Sequence, residues 1–87
     1  MANHKSALKE HRQSIARRDR NRNHRSRMRT AIKKCRLAIA SGDAEMARSL
    51  LPATLSLLDR TAKLNAMHDH AAARTKSRLT RAVNRMS

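Results

Sequence analysis

The stretch Ser26-Arg27-Met28-Arg29-Thr30-Ala31-Ile32-Lys33-Lys34-Cys35-Arg36-Leu37-Ala38-Ile39-Ala40-Ser41-Gly42-Asp43 decides the fold. Met28, Ala31, Ile32, Cys35 and Ile39 recur in it at three- and four-residue steps, which puts them in one stripe along a helix. Arg27, Arg29, Lys33, Lys34 and Arg36 stand between them, so the flanks of that apolar face are cationic. The pattern stops at Ser41-Gly42-Asp43, where glycine suits the residue that closes a helix and aspartate can cap the next one. An amphipathic helix followed by a tight turn calls for a partner helix folded back onto the stripe.

Downstream, a second stripe runs through Ala47, Leu50, Leu51, Thr54, Leu57, Leu58 and Leu64. Pro52 interrupts it; having no N–H, it should kink the helix or mark a restart one turn in. The stretch Leu64-Asn65-Ala66-Met67-His68-Asp69 can hold a further turn, and Ala72, Leu79, Ala82, Val83 and Met86 form a third stripe. One Gly and one Pro in 87 residues fit few, long helices. The expected fold is all-α: an antiparallel three-helix bundle with an extended, Arg-rich first helix. Residues 1–87 form a single domain, with a basic arm and first helix over about 2–41, a second helix over about 43–64 and a third over about 68–86. Leu51, Leu55 and Leu58 should face Ile32 and Ile39 on one side and Leu79 and Val83 on the other. Met28, Met46, Met67 and Met86 read as packing residues, and Cys35 as a small core residue.

Upstream of Met28 the stripe fails, because the same face carries His24, Asn21 and Arg17, while Leu8 and Ile15 pair on the opposite side. Arg18, Arg22, Arg25, Arg29 and Arg36 follow one flank of the helix; Arg20, Arg27 and Lys34 follow the other at seven-residue steps. This half has no protein core to join. Like charges four apart destabilise a helix that is already marginal in water, so the arm is expected to order only beside an anion.

Charge points to what that anion is. The chain has 21 Lys+Arg against 6 Asp+Glu, a net charge of +15 and a pI near 11.9. Residues 1–36 hold 13 bases and 2 acids, residues 37–66 hold 3 and 3, and residues 67–87 hold 5 and 1, giving nets of +11, 0 and +4. From Arg12 to Arg36, eleven bases face Asp19 alone. Self-repulsion at that density favours a polyanion. Fifteen of the bases are arginine, whose planar fork grips phosphate in pairs of hydrogen bonds. Phe, Tyr and Trp are absent, which excludes the aromatic platforms of RRM-like sheets and OB-folds.

Other function classes lack their residues. One cysteine allows no internal disulfide and fits a reducing cytosol. No apolar run approaches the roughly 20 residues of a bilayer span, and the N-terminus carries no apolar signal core, so a soluble protein is expected. Cys35 has no histidine or aspartate at helical spacing to act as its base. No glycine-rich phosphate loop is present. In His68-Asp69-His70, neighbouring side chains do not share a helix face and no further ligands complete a metal set. No enzyme, cofactor, metal or small-molecule substrate is therefore expected. A zipper-type DNA-binding seam from Met28 to Cys35 ends at Gly42 after about two heptads, so no obligate homo-oligomer is expected. A membrane-surface helix needs large apolar residues, and none stands between Ile15 and Met28.

Several blocks are similar to a known family. Met1-Ala2-Asn3-His4-Lys5-Ser6-Ala7, Arg20-Asn21-Arg22-Asn23 and Ser26-Arg27-Met28-Arg29-Thr30-Ala31-Ile32-Lys33-Lys34 resemble the bacterial small-subunit ribosomal protein family numbered twenty. His68 and Ala72-Ala73-Arg74-Thr75-Lys76-Ser77-Arg78-Leu79 resemble its second signature. The resemblance implies a three-helix bundle with an extended first helix. It further implies a cytoplasmic role in the small ribosomal subunit, binding the five-prime domain of its RNA early in assembly, with other ribosomal components nearby. Asp69 and Ala71 stand where the family usually has Lys, and His70 where it often has Asn; His4 and Glu10 are also atypical. The turn before the third helix should therefore grip phosphate less strongly than in relatives.

RNA contacts are expected from Lys5, Arg12, Arg17, Arg18, Arg20, Arg22, Arg25, Arg27, Arg29, Lys33 and Lys34, with Arg74, Lys76, Arg78 and Arg81 as a second patch. Ser6, Asn21, Asn23 and Ser26 would allow close approach and hydrogen bonds to phosphate or ribose. The alternative is a non-ribosomal basic helical protein that binds DNA or RNA non-specifically.

Overall fold

A computed structural model describes the backbone of residues 3–86 and the side chains of residues 6–86. Three helices follow in order: α1 (Asn3–Ala40), α2 (Ala44–Lys63) and α3 (Asp69–Asn84). No strand is present among the described residues.

Both turns close in the same way. After α1, Gly42 takes φ +78; its N–H donates to the Ile39 carbonyl (3.1 Å), and that of Asp43 donates to Ala38 (3.0 Å). These are the paired bonds of a left-handed helix stop. The Asp43 carboxylate then accepts the Met46 N–H at 3.1 Å, so the residue that ends α1 also caps α2. After α2, Asn65 at φ +59 plays the part of Gly42, with bonds from Asn65 to Ala62 and from Ala66 to Thr61, both 3.0 Å. Asparagine is the commonest substitute for glycine in this conformation. His68 caps α3: its Nδ1 accepts the His70 N–H at 3.1 Å.

Short turns fold the helices back on one another around Met28, Ile32, Cys35 and Ala38 of α1, Ala47 and Leu58 of α2, and Leu79 and Val83 of α3. Ile39, Leu50, Leu51, Met67 and Met86 pack against this core while half-buried. Leu55, expected to face inward, is half-buried and takes no part in the core. The inner column of α2 is instead Ala47, Thr54, Leu58 and Thr61. The two threonine hydroxyls donate to their own helix, at the carbonyls of Leu50 (2.9 Å) and Leu57 (2.7 Å). That satisfies each hydroxyl locally and leaves its methyl group to pack. Met46, read as a packing residue, is 50% exposed, because the Asp43 cap sets the first turn of α2 with Met46 outward. Pro52 causes no restart: α2 runs through it. Pro52 and Arg48, whose carbonyl Pro52 cannot serve, are both exposed, so water can take the place of the missing donor.

Residues 6–20 of α1 are exposed all round. Burial begins part-way at Asn21, His24 and Arg25, one to two turns before Met28. In the structure the arm continues the packed half as one helix, its backbone bonds closing internally. A 38-residue helix is about 57 Å long, which accounts for most of the 65 × 19 × 15 Å envelope. The radius of gyration is 17.4 Å, against about 12 Å for a compact domain of this length. α2 lies mainly on α1 and α3 mainly on α2, so the line between α1 and α3 is the least filled.

Candidate nucleic-acid interface

The two flanks of α1 open onto two different grooves. Between α1 and α3, Arg29, Lys33 and Arg36 rim a hollow of ≈ 480 Å³ floored by Ile32, Leu37, Ala40 and Thr75. On the other side, Arg27, Lys34, Ser26, Thr30 and Ala31 face Leu50, Ala53, Thr54 and Leu57 of α2 across ≈ 400 Å³. The seven-residue and three-to-four-residue arginine series thus diverge onto opposite sides of one rod. Leu37, 60% exposed, lies at the first of these grooves.

Of the expected contact residues, Arg12, Arg17, Arg18, Arg20, Arg22, Arg27, Arg29, Lys33 and Lys34 are exposed and Arg25 is half-buried. The side chain of Lys5 lies outside the described residues. Among the described residues no arm arginine is ion-paired, and Asp19 pairs with none of them. The C-terminal patch is less uniform. Arg74, Arg78 and Arg81 are exposed, but Lys76 Nζ sits 2.7 Å from Asp59 Oδ1 and ties α3 to α2. That pair is solvated, and exposed pairs of this kind contribute only about 0–1 kcal/mol. A phosphate could compete for the lysine.

Arg36 was absent from the expected contact set, yet it is exposed and shares a groove with Arg29 and Lys33. Its place in the Arg18–Arg22–Arg25–Arg29 series was the signal that could have found it. Asn21, expected to approach RNA, is half-buried instead. Its Oδ1 and the Nδ1 of His24 are enclosed and unpaired among the described residues. Ser6, Asn23 and Ser26 are exposed, and the Ser26 carbonyl accepts the Thr30 hydroxyl at 3.0 Å.

The remaining reactive groups are not arranged for chemistry. Burial pushes the Cys35 thiol up, with the Arg36 guanidinium pulling weakly the other way, so the nucleophilic thiolate is scarce. Among the described residues no three His, Cys, Asp or Glu side chains converge as metal ligands. No described helix is long and apolar enough to cross a membrane. What the arrangement can do is hold anionic strands on two sides of a cationic helix.

Comparison with known proteins agrees with this geometry. A family model described as Ribosomal protein S20 matches residues 2–84. A protein of Maridesulfovibrio salexigens named small ribosomal subunit protein bS20 is 48% identical over 87 residues, covering 100% of both chains. Proteins of the same name from Desulfovibrio desulfuricans and Geotalea daltonii are 52% identical over 84 residues (97% of this chain, 94% of the relative) and 46% identical over 87 residues (100% of both).

Proposed function

This chain belongs to the ribosomal protein S20 family, and from that premise we propose that it binds small-subunit ribosomal RNA directly and stabilises one fold of that RNA during assembly. It does so as a single-domain, non-enzymatic structural component of the cytoplasmic small ribosomal subunit. The observation that carries the reading is the projecting arm, whose arginines over residues 12–20 are exposed and, among the described residues, without an anionic partner. Each phosphate that meets one of these cations releases roughly 0.7–0.9 of a counterion, and that release drives binding. Arg18, Arg22 and Arg29 serve strands on one side, and Arg20, Arg27 and Lys34 those on the other. The helix therefore pins together two RNA segments that would otherwise repel. By binding one RNA arrangement better than its alternatives, it shifts the population toward that arrangement. Arg12, Arg17, Arg25 and Lys33 extend the same surface, and Lys5 is a further proposed contact; Arg74, Arg78, Arg81 and, once freed from Asp59, Lys76 form a second patch.

The RNA partner is the five-prime domain of small-subunit ribosomal RNA, with other ribosomal components as neighbours. Titrating the full chain against transcripts of the separate RNA domains at fixed salt tests this. Tight binding to the five-prime domain and weaker binding to the rest is expected. Equal affinity for all of them, and for duplex DNA, would favour the non-specific alternative.

A further inference from the structure

With no phenylalanine, tyrosine or tryptophan, the chain has only its five histidines as flat rings. Two of them meet at the start of α3. The rings of His68 and His70 lie 5.1 Å apart between centroids and within 20° of parallel, and both residues are exposed. The stack is anchored rather than loose. The backbone N–H of His70 donates to His68 Nδ1 at 3.1 Å, which fixes the orientation of the His68 ring and leaves its Nε2 edge to donate outward. Beside it, Asn65, Ala66, Met67, His68 and Asp69 line an open hollow of ≈ 400 Å³.

The charge here differs from the rest of the RNA-facing surface. Asp69 stands between the two histidines; it also shares a second hollow with Asp59, Lys63 and Lys76, but no Lys or Arg lines the hollow beside His68. A carboxylate at this point disfavours phosphate, whereas an uncharged flat ligand suffers no such repulsion. Bases in single-stranded RNA are read by stacking on flat side chains and by hydrogen bonds at their edges, and every base has a face to offer.

We propose that the His68–His70 stack is a platform for an unpaired RNA nucleobase, with Asn65 and Asp69 of the adjoining hollow at the base's edge. The proposal rests on the RNA-binding reading above and adds a contact to a base where that reading supplies contacts to phosphate. A carboxylate accepts but does not donate, so bases with an exocyclic amino group, adenine among them, are favoured over uracil.

The test uses the full chain and two fluorescent probes: a short oligoadenylate and an RNA duplex with the same number of phosphates. His70→Asn removes one ring and leaves the backbone N–H that the His68 cap requires; His70→Phe restores a flat face without the imidazole. His70→Asn should weaken oligoadenylate binding about five- to tenfold, the low end for one base–ring stack. Duplex binding and its salt dependence should not change. His70→Phe should recover the loss, and oligouridylate should bind less well than oligoadenylate. Equal weakening toward both probes, no weakening at all, or failure of phenylalanine to rescue would overturn the platform while leaving phosphate binding intact. If the wild-type chain bound neither probe, the RNA-binding reading itself would fall, and the platform with it.

Discussion

Leu58 has no exposed surface and lies among residues of all three helices, whereas Met46, a little over three turns earlier on the same helix, is half in solvent. Truncating Leu58 to alanine removes buried methyl groups and leaves a cavity, so Leu58→Ala should cost about 2–5 kcal/mol. Met46→Ala should stay within about 0.5 kcal/mol. Chemical denaturation followed by helical circular dichroism separates the two. Equal effects would mean that α2 is turned differently about its axis. Much of this inner surface was legible in the sequence: Met28, Ile32, Cys35, Leu58, Leu79 and Val83 all lie on the expected stripes and are all buried. Thr61 and Ala38 were not legible, because a hydroxyl and a single methyl group carry little hydropathy signal. Thr61 is buried only because its own helix takes up the hydroxyl. Asn21 and His24 are half-buried although polar, which their residue types do not announce.

Among the helices, α1 joins two halves of different standing. From Met28 to Ala38 it is clamped by α2 and α3; over residues 6–20 only its own backbone bonds hold it. Isolated helices are marginal, and opening free energies within one protein range from near zero to the global value. Amide exchange in the free chain should therefore be fast before about Asn21 and slow after Met28. In the RNA complex, protection should spread toward Lys9. Equal protection of the arm with and without RNA would identify a stable preformed rod instead. The end of α1 was legible because Gly42 and Asp43 have strong positional preferences. The stop after α2 was harder to see, since Asn65 substitutes for glycine amid a mixed stretch and only the backbone angle distinguishes it. Pro52 looked like a break and is not one: its missing donor falls on the solvent side of α2.

For the whole molecule, a net charge of +15 along a body 65 Å long should make electrostatics the main term in the proposed RNA binding. About 8–10 phosphate contacts would give a slope of log affinity against log salt of roughly −6 to −9. Titrations across a salt series measure it; a slope near −2 would remove the two-sided clamp. The continuity of α1 from Asn3 to Ala40 has a further consequence. A helix transmits angular phase: what the bundle fixes at Met28 also fixes the compass bearing of Arg12, some 24 Å away along the axis at about 1.5 Å per residue. Two alanines inserted after Arg20 would lengthen the arm by only about 3 Å but turn everything before them by about 200°. Arg12, Arg17 and Arg18 would then point nearly backwards. A flexible tether would hardly register such an insertion. An arm that keeps its bearing should lose much of its grip on RNA, while a seven-alanine insertion, longer but rotated by only about 20°, should keep more of it.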